Sequence, residues 1–259
     1  MELDHANGNT KWRDSELLEL KQIDDYDTFH DIGTDKRPGN DYKRINVHMI
    51  YCCKHDGRHK TRLVAGGNLT ETPIDSVYSS VVSLRGIRLL TFIAELNDEA
   101  VWCTDVGNAY LESYTEEKVY IRAGPEFGER EGHLLIIVKA LYGLKNAPNL
   151  FVDHLRDVAK KNGYKTDEAE AVLLKTQPKG ATNALAHHID DVVSSAHGPQ
   201  ARLVLESIGE DLDMGPIEEL NTGETASVTY VGLQLDRHPE GIDVHQGTYV
   251  DGLQVPPLT

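Results

Sequence analysis

Apolar and polar residues alternate from Ile45 to Cys53. Ile45, Val47 and Met49 share one face and Asn46 and His48 the other, which predicts a strand. His55-Asp56-Gly57-Arg58 follows as a turn, because Asp-Gly favours a tight hairpin. The returning strand is expected from about His59 to Ala65, ended by Gly66-Gly67, and it carries Lys60 and Arg62. Upstream, residues 1–44 are polar. Only Leu17, Leu18, Leu20 and Ile23 predict a short helix there, after Asp14 or Ser15. Leu84, Ile87, Leu90, Ile93 and Ala94 recur at helical spacing behind Ser79 or Ser80, either of which suits an N-cap. Val101 to Val106 reads as a strand with Asp105 near its end, and Lys118–Ile121 and Leu134–Val138 read as two more. Pro148 suits the first turn of a helix whose apolar face is Phe151, Leu155, Val158 and Ala159. Ala184 to Ser195 reads as a hairpin with Asp190-Asp191 at its tip. Leu203 to Leu212 is an amphipathic helix, and Val228 to Leu235 is a strand that Ile242–Val244 can pair with. Strands and helices mix without regular βαβ alternation, so the expected class is α+β with a mainly antiparallel sheet.

Composition bounds this picture. A chain of 259 residues with 39% hydrophobic and 26% charged residues can bury a sizeable core. No apolar run approaches the roughly 20 residues of a membrane span, so no membrane partner is expected. Met1 to Arg13 lacks the apolar stretch of a signal peptide. Three cysteines, Cys52, Cys53 and Cys103, make neither a disulfide framework nor a Cys-x-x-Cys zinc knuckle. An intracellular, cytoplasmic setting follows. The net charge of −16 opposes nucleic-acid binding at face value, but the acid is unevenly spread. Residues 1–60 carry 10 basic and 12 acidic side chains, residues 61–165 carry 12 and 14, and residues 166–259 carry 4 and 16. A nucleic-acid channel would use the near-neutral first two thirds.

Three carboxylates stand at the edges of apolar, strand-like runs: Asp105 before Val106-Gly107-Asn108-Ala109-Tyr110, and Asp190-Asp191 before Val192-Val193. Acids beside buried runs are costly unless something compensates. Two Mg²⁺ ions would do so, and they take hard oxygen ligands. An Asp-Asp pair alone is more often a solvated turn; the combination is what counts. Lys60 and Arg62 alternate onto one face of their strand and could grip a triphosphate, Arg62 by its planar fork. Taken alone they are an ordinary charged face. Tyr110 could block a ribose 2′-hydroxyl or be a half-buried core ring. Gly143, between Tyr142 and Leu144, allows close backbone approach to a nucleotide or template, or simply precedes a helix. His187 and His188 beside the Asp pair raise a Zn²⁺, Mn²⁺ or Fe cluster. Only His188 and Asp190 would share a strand face, short of the usual three or four ligands.

Residues from about Tyr42 to Tyr249 resemble the reverse transcriptase domain of copia-type LTR retrotransposons. His59 to Gly67 is similar to the family's Lys-Ala-Arg-Leu-Val-Ala-x-Gly hairpin. Tyr78-Ser79-Ser80-Val81-Val82 with Ile87-Arg88-Leu89-Leu90 is similar to its Ser-Pro-Val-Val…Ile-Arg-Leu-Leu helix. Asp105 to Leu111 matches the first catalytic motif and Ile189-Asp190-Asp191 the second. Glu117 to Ile121, Pro125-Glu126-Phe127 and Lys139 to Lys145 fall between them in order, and Tyr230 to Leu235 resembles the Phe-Leu-Gly-Ile-x-Ile strand. The resemblance implies the fingers and palm of a right-handed polymerase at 42–249, a polar extension at 1–41, a truncated tail at 250–259 and a largely missing thumb. It implies RNA- and DNA-directed DNA synthesis on a primed template from deoxynucleoside triphosphates. Asp105, Asp190, Asp191 and the Val106 carbonyl would hold two Mg²⁺ ions, with Mn²⁺ able to substitute. Lys60, Arg62, Tyr110 and Gly143 would bind the nucleotide, and His188 and Lys145 the primer and template. An active element would place the domain in a virus-like particle. The family's Tyr-Val-Asp-Asp has His188 in place of the tyrosine, Asn146 to Phe151 departs from Gln-Ala-Pro-Arg-Ala-Trp, and Asp167 to Ala186 lacks the usual pattern. These departures motivate an alternative, a domesticated or decaying relic that folds and binds but does not polymerise.

Overall fold

A computed structural model describes residues 2–54, 57–70, 79–166, 171–176, 182–197, 200–222 and 225–253. Helices α1 (Glu2–Asn7) and α2 (Lys11–Asp25) come first. Strands β1 (Phe29–Asp31), β2 (Lys43–Arg44), β3 (Val47–Cys53) and β4 (His59–Ala65) follow. Helix α3 (Leu84–Leu96) leads into β5 (Ala100–Asp105) and the single turn α4 (Ala109–Glu112). Next come β6 (Val119–Arg122), β7 (Leu134–Ile137) and α5 (Ala147–Lys161). Strands β8 (Lys165–Thr166), β9 (Val172–Thr176), β10 (Thr182–His188) and β11 (Asp191–Ala196) precede α6 (Gln200–Ile208). The remaining elements are β12 (Glu218–Leu220), β13 (Ala226–Tyr230), β14 (Leu233–His238), β15 (Gly241–His245) and α7 (Gly247–Asp251).

The chain divides into two compact units, each assembled from separated segments. One comprises Met1–Ser79 and Asn108–His154, the other Ser80–Gly107 and Leu155–Thr259. The first holds a sheet in the order β1-β7-β6-β2 and the β3–β4 ribbon; the second holds β12-β5-β11-β10-β9-β8 and β13-β14-β15. Among the described residues the ladders are antiparallel apart from β2 with β6, as expected of an α+β protein with mainly antiparallel sheets.

In the first unit the core gathers Ile23, Ile45, Leu63, Val119, Ile121, Leu135, Ile137 and Leu141. The β3–β4 hairpin runs in register from Val47 opposite Ala65 to Cys53 opposite His59, where the alternation places it. His55 and Asp56 of its turn lie outside the described residues. Helix α2 begins earlier than its apolar positions imply. The Asp4 carboxylate accepts from the Trp12 and Arg13 backbone amides at 3.0 and 2.9 Å, capping the helix from eight residues upstream. Ile23 is buried, whereas Leu17 and Leu18 are exposed. Glu19 is buried instead, and its carboxylate accepts from the Leu63 amide at 2.8 Å. Helix α2 therefore satisfies a backbone donor on the edge of β4 that β3 leaves unpaired.

In the second unit Ile87, Leu90 and Ala94 of α3 pack with Val101, Cys103, Ala186, Val193, Leu220, Tyr230 and Leu235. The α3 cap is Ser83, whose Oγ accepts from the Gly86 amide at 3.0 Å, rather than Ser79 or Ser80. Leu84 and Ile93, expected inside, are exposed with Leu89, Phe92 and Leu96, so the helix is apolar on both faces. The strand expected over 228–235 is two strands. Val231 and Gly232 both have positive φ, 52° and 72°, and Tyr230 pairs with Leu233 across this two-residue turn. A valine there hides the turn from a sequence reading. Helix α6 starts before the predicted segment and stops at Ile208.

Arg237 of β14 is almost fully buried. Its guanidinium donates to the Glu99 carbonyl at 3.0 Å and pairs with the Glu95 carboxylate of α3 at 2.8 Å. Removing one partner of such a pair strands a buried charge. Glu95→Ala is expected to lower unfolding free energy in urea by about 2 kcal/mol; a change under about 0.5 kcal/mol would show that the pair is not maintained in solution.

Candidate active site

Strand β5 ends at Asp105 and β11 begins at Asp191, and the ladder sets these two residues directly opposite each other. Strand β10 returns into β11 with His188 opposite Asp191, so the two turn residues are Ile189 and Asp190. Asp191 therefore starts the strand, and the tip lies one residue before the predicted Asp190-Asp191. Ile189 adopts φ 58°, a left-handed conformation that a β-branched side chain resists. The turn is held by the Val106 amide, which donates to the Asp190 carbonyl at 2.8 Å. Three carboxylates are thus brought to the ends of two neighbouring strands. Burial, and then the Asp190 and Asp105 charges, push the Asp191 carboxyl up to about 6.

The other edge of β5 is closed by a segment that the sequence reading did not single out. The Gly107 amide donates to the Asp213 carbonyl at 2.7 Å and the Gly215 amide to the Asp105 carbonyl at 2.8 Å. Thr104 Oγ1 donates to the Gly215 carbonyl at 3.1 Å. A Cβ on Gly215 would stand 2.2 Å from Asp105 Oδ1, so this glycine makes the space the carboxylate occupies. Only Gly215-Pro216 signalled it, and that dipeptide announces a loop. Tyr230, buried beneath β11, donates from its hydroxyl to the Asp191 carbonyl at 3.4 Å.

The donors are carboxylate oxygens, which suit hard ions such as Mg²⁺. Among the described residues no group of three or more His, Cys, Asp or Glu side chains is placed to hold an ion unaided. Mg²⁺ ordinarily takes one or two carboxylates and completes its shell with water and substrate phosphates, so the donor chemistry fits without a closed cage. The His–Asp transition-metal cluster gains no third ligand among the described residues. His188 is half-buried, at the end of β10.

His187 is completely buried, and neither ring nitrogen has a hydrogen-bond partner. Burial holds its pKa down to about 4, with Arg156 and His188 adding to the effect.

In the first unit Lys60 and Arg62 lie on β4. The Arg62 guanidinium sits 4.6 Å over the Tyr142 ring, and Tyr142 packs against Tyr110 with centroids 4.7 Å apart. Arg62 Nε is shielded from solvent and makes no hydrogen bond among the described residues; the ring face gives the guanidinium a cation–π contact. Tyr142 joins two predicted nucleotide-binding residues, a role no sequence spacing revealed. Its loop is fastened to β4 by the Ala65 amide, which donates to the Tyr142 carbonyl at 2.6 Å. Gly143 has φ 91°, and a Cβ on it would lie 2.1 Å from the Ala65 carbonyl oxygen. One on Gly67 would lie 2.0 Å from the Gly143 carbonyl oxygen. The close approach that Gly143 permits is thus to the end of β4. Lys145 Nζ donates to the Thr70 carbonyl at 2.8 Å.

Two solved structures share this fold. A foamy viral protease–reverse transcriptase in complex with double-stranded DNA superposes with a TM-score of 0.51, at 14% identity over 96% of this chain and 38% of that one. A telomerase from Candida albicans in complex with a fragment of telomeric RNA gives 0.52, at 9% identity over 90% and 50%. The chain therefore shares its fold with these two proteins. Residues 34–254 match the family described as reverse transcriptase (RNA-dependent DNA polymerase), and the chain belongs to that family. It is 25% identical over 198 residues to the retrovirus-related Pol polyprotein from transposon RE1 of Arabidopsis thaliana, and 24% over 197 residues to that from transposon RE2. Each match covers 74% of this chain, which spans 13% of either relative.

Two outcomes follow from this geometry. The unfolded state protonates His187 near 6.5 and the folded state near 4, so stability is intact above pH 6.5 and falls as pH drops toward 4. His187→Leu is expected to remove about 2 kcal/mol of the loss between pH 7.5 and 5, read from urea unfolding at both pH values; equal losses in both proteins would refute it. Gly143→Ala is expected to destabilise by at least about 2 kcal/mol, from a strained φ and a backbone clash together, measured by the same unfolding experiment.

Proposed function

We propose that the chain is the RNA-directed DNA polymerase domain of a copia-type retrotransposon Pol polyprotein and acts on a primed RNA or DNA template. The observation that carries the reading is the register that sets Asp191 opposite Asp105, with Asp190 on the adjoining turn. Family membership supports it. Asp105, Asp190 and Asp191, with the Val106 carbonyl, would hold two divalent ions, Mg²⁺ by preference and Mn²⁺ as a substitute. When bound, the ions supply charge neutralisation and an acidified primer hydroxyl. The primer 3′-hydroxyl gives its proton to solvent, and its oxygen forms a bond to the α-phosphorus of the deoxynucleoside triphosphate as the bond to pyrophosphate breaks. Little covalent help is needed from protein, so the remaining residues position and discriminate. Arg62 and Lys60 take the triphosphate, Arg62 with its fork oriented by the Tyr142 ring. Tyr110, propped by the same ring, stands against a ribose 2′-hydroxyl. His188 supports the primer end, and Lys145 stiffens the loop that follows Gly143 beside the template. The setting is the cytoplasm, inside a virus-like particle where the element is active.

Primer extension by the purified chain tests this, on a primed RNA template with deoxynucleotides and Mg²⁺. Synthesis is expected from the wild type, with a loss of about a thousandfold in Asp105→Asn and in Asp190→Asn, several kcal/mol of transition-state stabilisation. Synthesis that survives both substitutions would overturn the assignment of the carboxylates. A well-folded wild type that extends nothing would favour the relic.

A further inference from the structure

The first unit also carries a cavity of about 360 Å³ that none of the proposed polymerase residues lines. Arg37, Arg44 and Arg122 surround it, together with Tyr42 and Tyr120, and no carboxylate is among its lining residues. The topology explains the convergence. Strands β2 and β6 run parallel with Arg44 opposite Tyr120. Tyr120 and Arg122 are two residues apart on β6 and so project to the same side, while Val119 and Ile121 on the other side are buried in the core. The loop before β2 brings Arg37 and Tyr42 over that surface. The nearby acid Asp41 is already neutralised by Lys118. Arg122 spends one guanidinium donor on the Gly132 carbonyl at 3.1 Å and keeps its charge.

Three guanidiniums around one cavity are a marked local excess in a chain of net charge −16. Guanidinium forks match phosphate oxygens bidentately. Half-buried tyrosine rings offer a base its π-face, and a positive groove with aromatic platforms is how single strands are held without sequence preference. Three arginines exceed the needs of one phosphate monoester, whereas each base of a strand is flanked by phosphates on both sides. We propose that this cavity binds a nucleotide unit of single-stranded nucleic acid through its phosphates and base, as a site separate from the polymerising residues. The site does not depend on the polymerase reading.

The test uses the whole chain in EDTA, so that no divalent ion contributes. Anisotropy of a fluorescein-labelled dT12 strand is titrated between 50 and 200 mM KCl, with wild type and the triple variant Arg37→Gln, Arg44→Gln, Arg122→Gln. Each lost phosphate contact should lower the slope of log affinity against log salt by about 0.7, so a drop of about 2 is expected with affinity at least tenfold weaker at 50 mM. Thymidine monophosphate and inorganic phosphate serve as competitors. Displacement of dT12 by either at equal nucleotide concentration would overturn the strand in favour of a mononucleotide or simple phosphate site. A strand carrying 5-iodouracil should photocrosslink to Tyr42 or Tyr120, mapped by mass spectrometry. Identical slopes in the two proteins, no wild-type affinity for dT12, or crosslinks confined to other residues would each overturn the proposal. These exposed substitutions should leave the melting temperature within about 2 °C, which guards against reading a folding defect as lost binding.

Discussion

Like charges on adjacent strands repel, and a sheet that sets Asp105 opposite Asp191 must hold them together with everything else it has. The holding elements are the ladder from Asp105–Asp191 to Ala100–Ala196, the hydrogen bond from Val106 to Asp190, and a core in which Val101, Val192 and Val193 are fully enclosed. Both faces of β5 and β11 are buried, so a slip of one residue would drive every one of these side chains into packing shaped for its neighbour. Packing on both faces therefore fixes the register, and the register sets Asp105 opposite Asp191. The strained Ile189 turn belongs to the same economy of constraint. The backbone there departs from its comfortable range because the strands on both sides are already committed.

The carboxylate cluster belongs to one unit and the basic and aromatic groups of β4 and the Tyr142 loop to the other. Each set is fastened by its own core and its own backbone contacts. In the proposed reaction neutralising charge and gripping the nucleotide are separable tasks, and each set of groups rests on a core of its own. Charge is divided unevenly as well. The arginines of the first unit form a cavity without carboxylates, and the excess of acid falls in the last third of the sequence.

Where local signals agreed with tertiary demand, the fold was legible. Strand β4 spans His59–Ala65 as its alternation and terminal glycines indicate, and Pro148 sits in the first turn of α5. The carboxylates were legible because acids beside apolar runs need an explanation. Other features depended on distant partners. Asp4 caps α2 from eight residues upstream of Trp12. Glu19 is interior because β4 has an edge amide to satisfy. The segment 213–215 and the short acidic strand β12 look like surface until β5 supplies their ladder. Val231 conceals a turn because valine seldom accepts positive φ. The ring of Tyr142 gains its place from Arg62, 80 positions earlier in the chain, and no period or spacing encodes that.

The interlock of Gly67 and Gly143 reaches beyond this molecule. Each glycine leaves its neighbour's backbone the room a methyl group would fill, so neither position tolerates drift. Gene copies within a family accumulate changes one codon at a time. A copy that keeps all three aspartates but has lost either glycine has also lost the seat of Tyr142. Surveys that score such copies by their acidic motifs alone will overcount the ones that still fold as this one does.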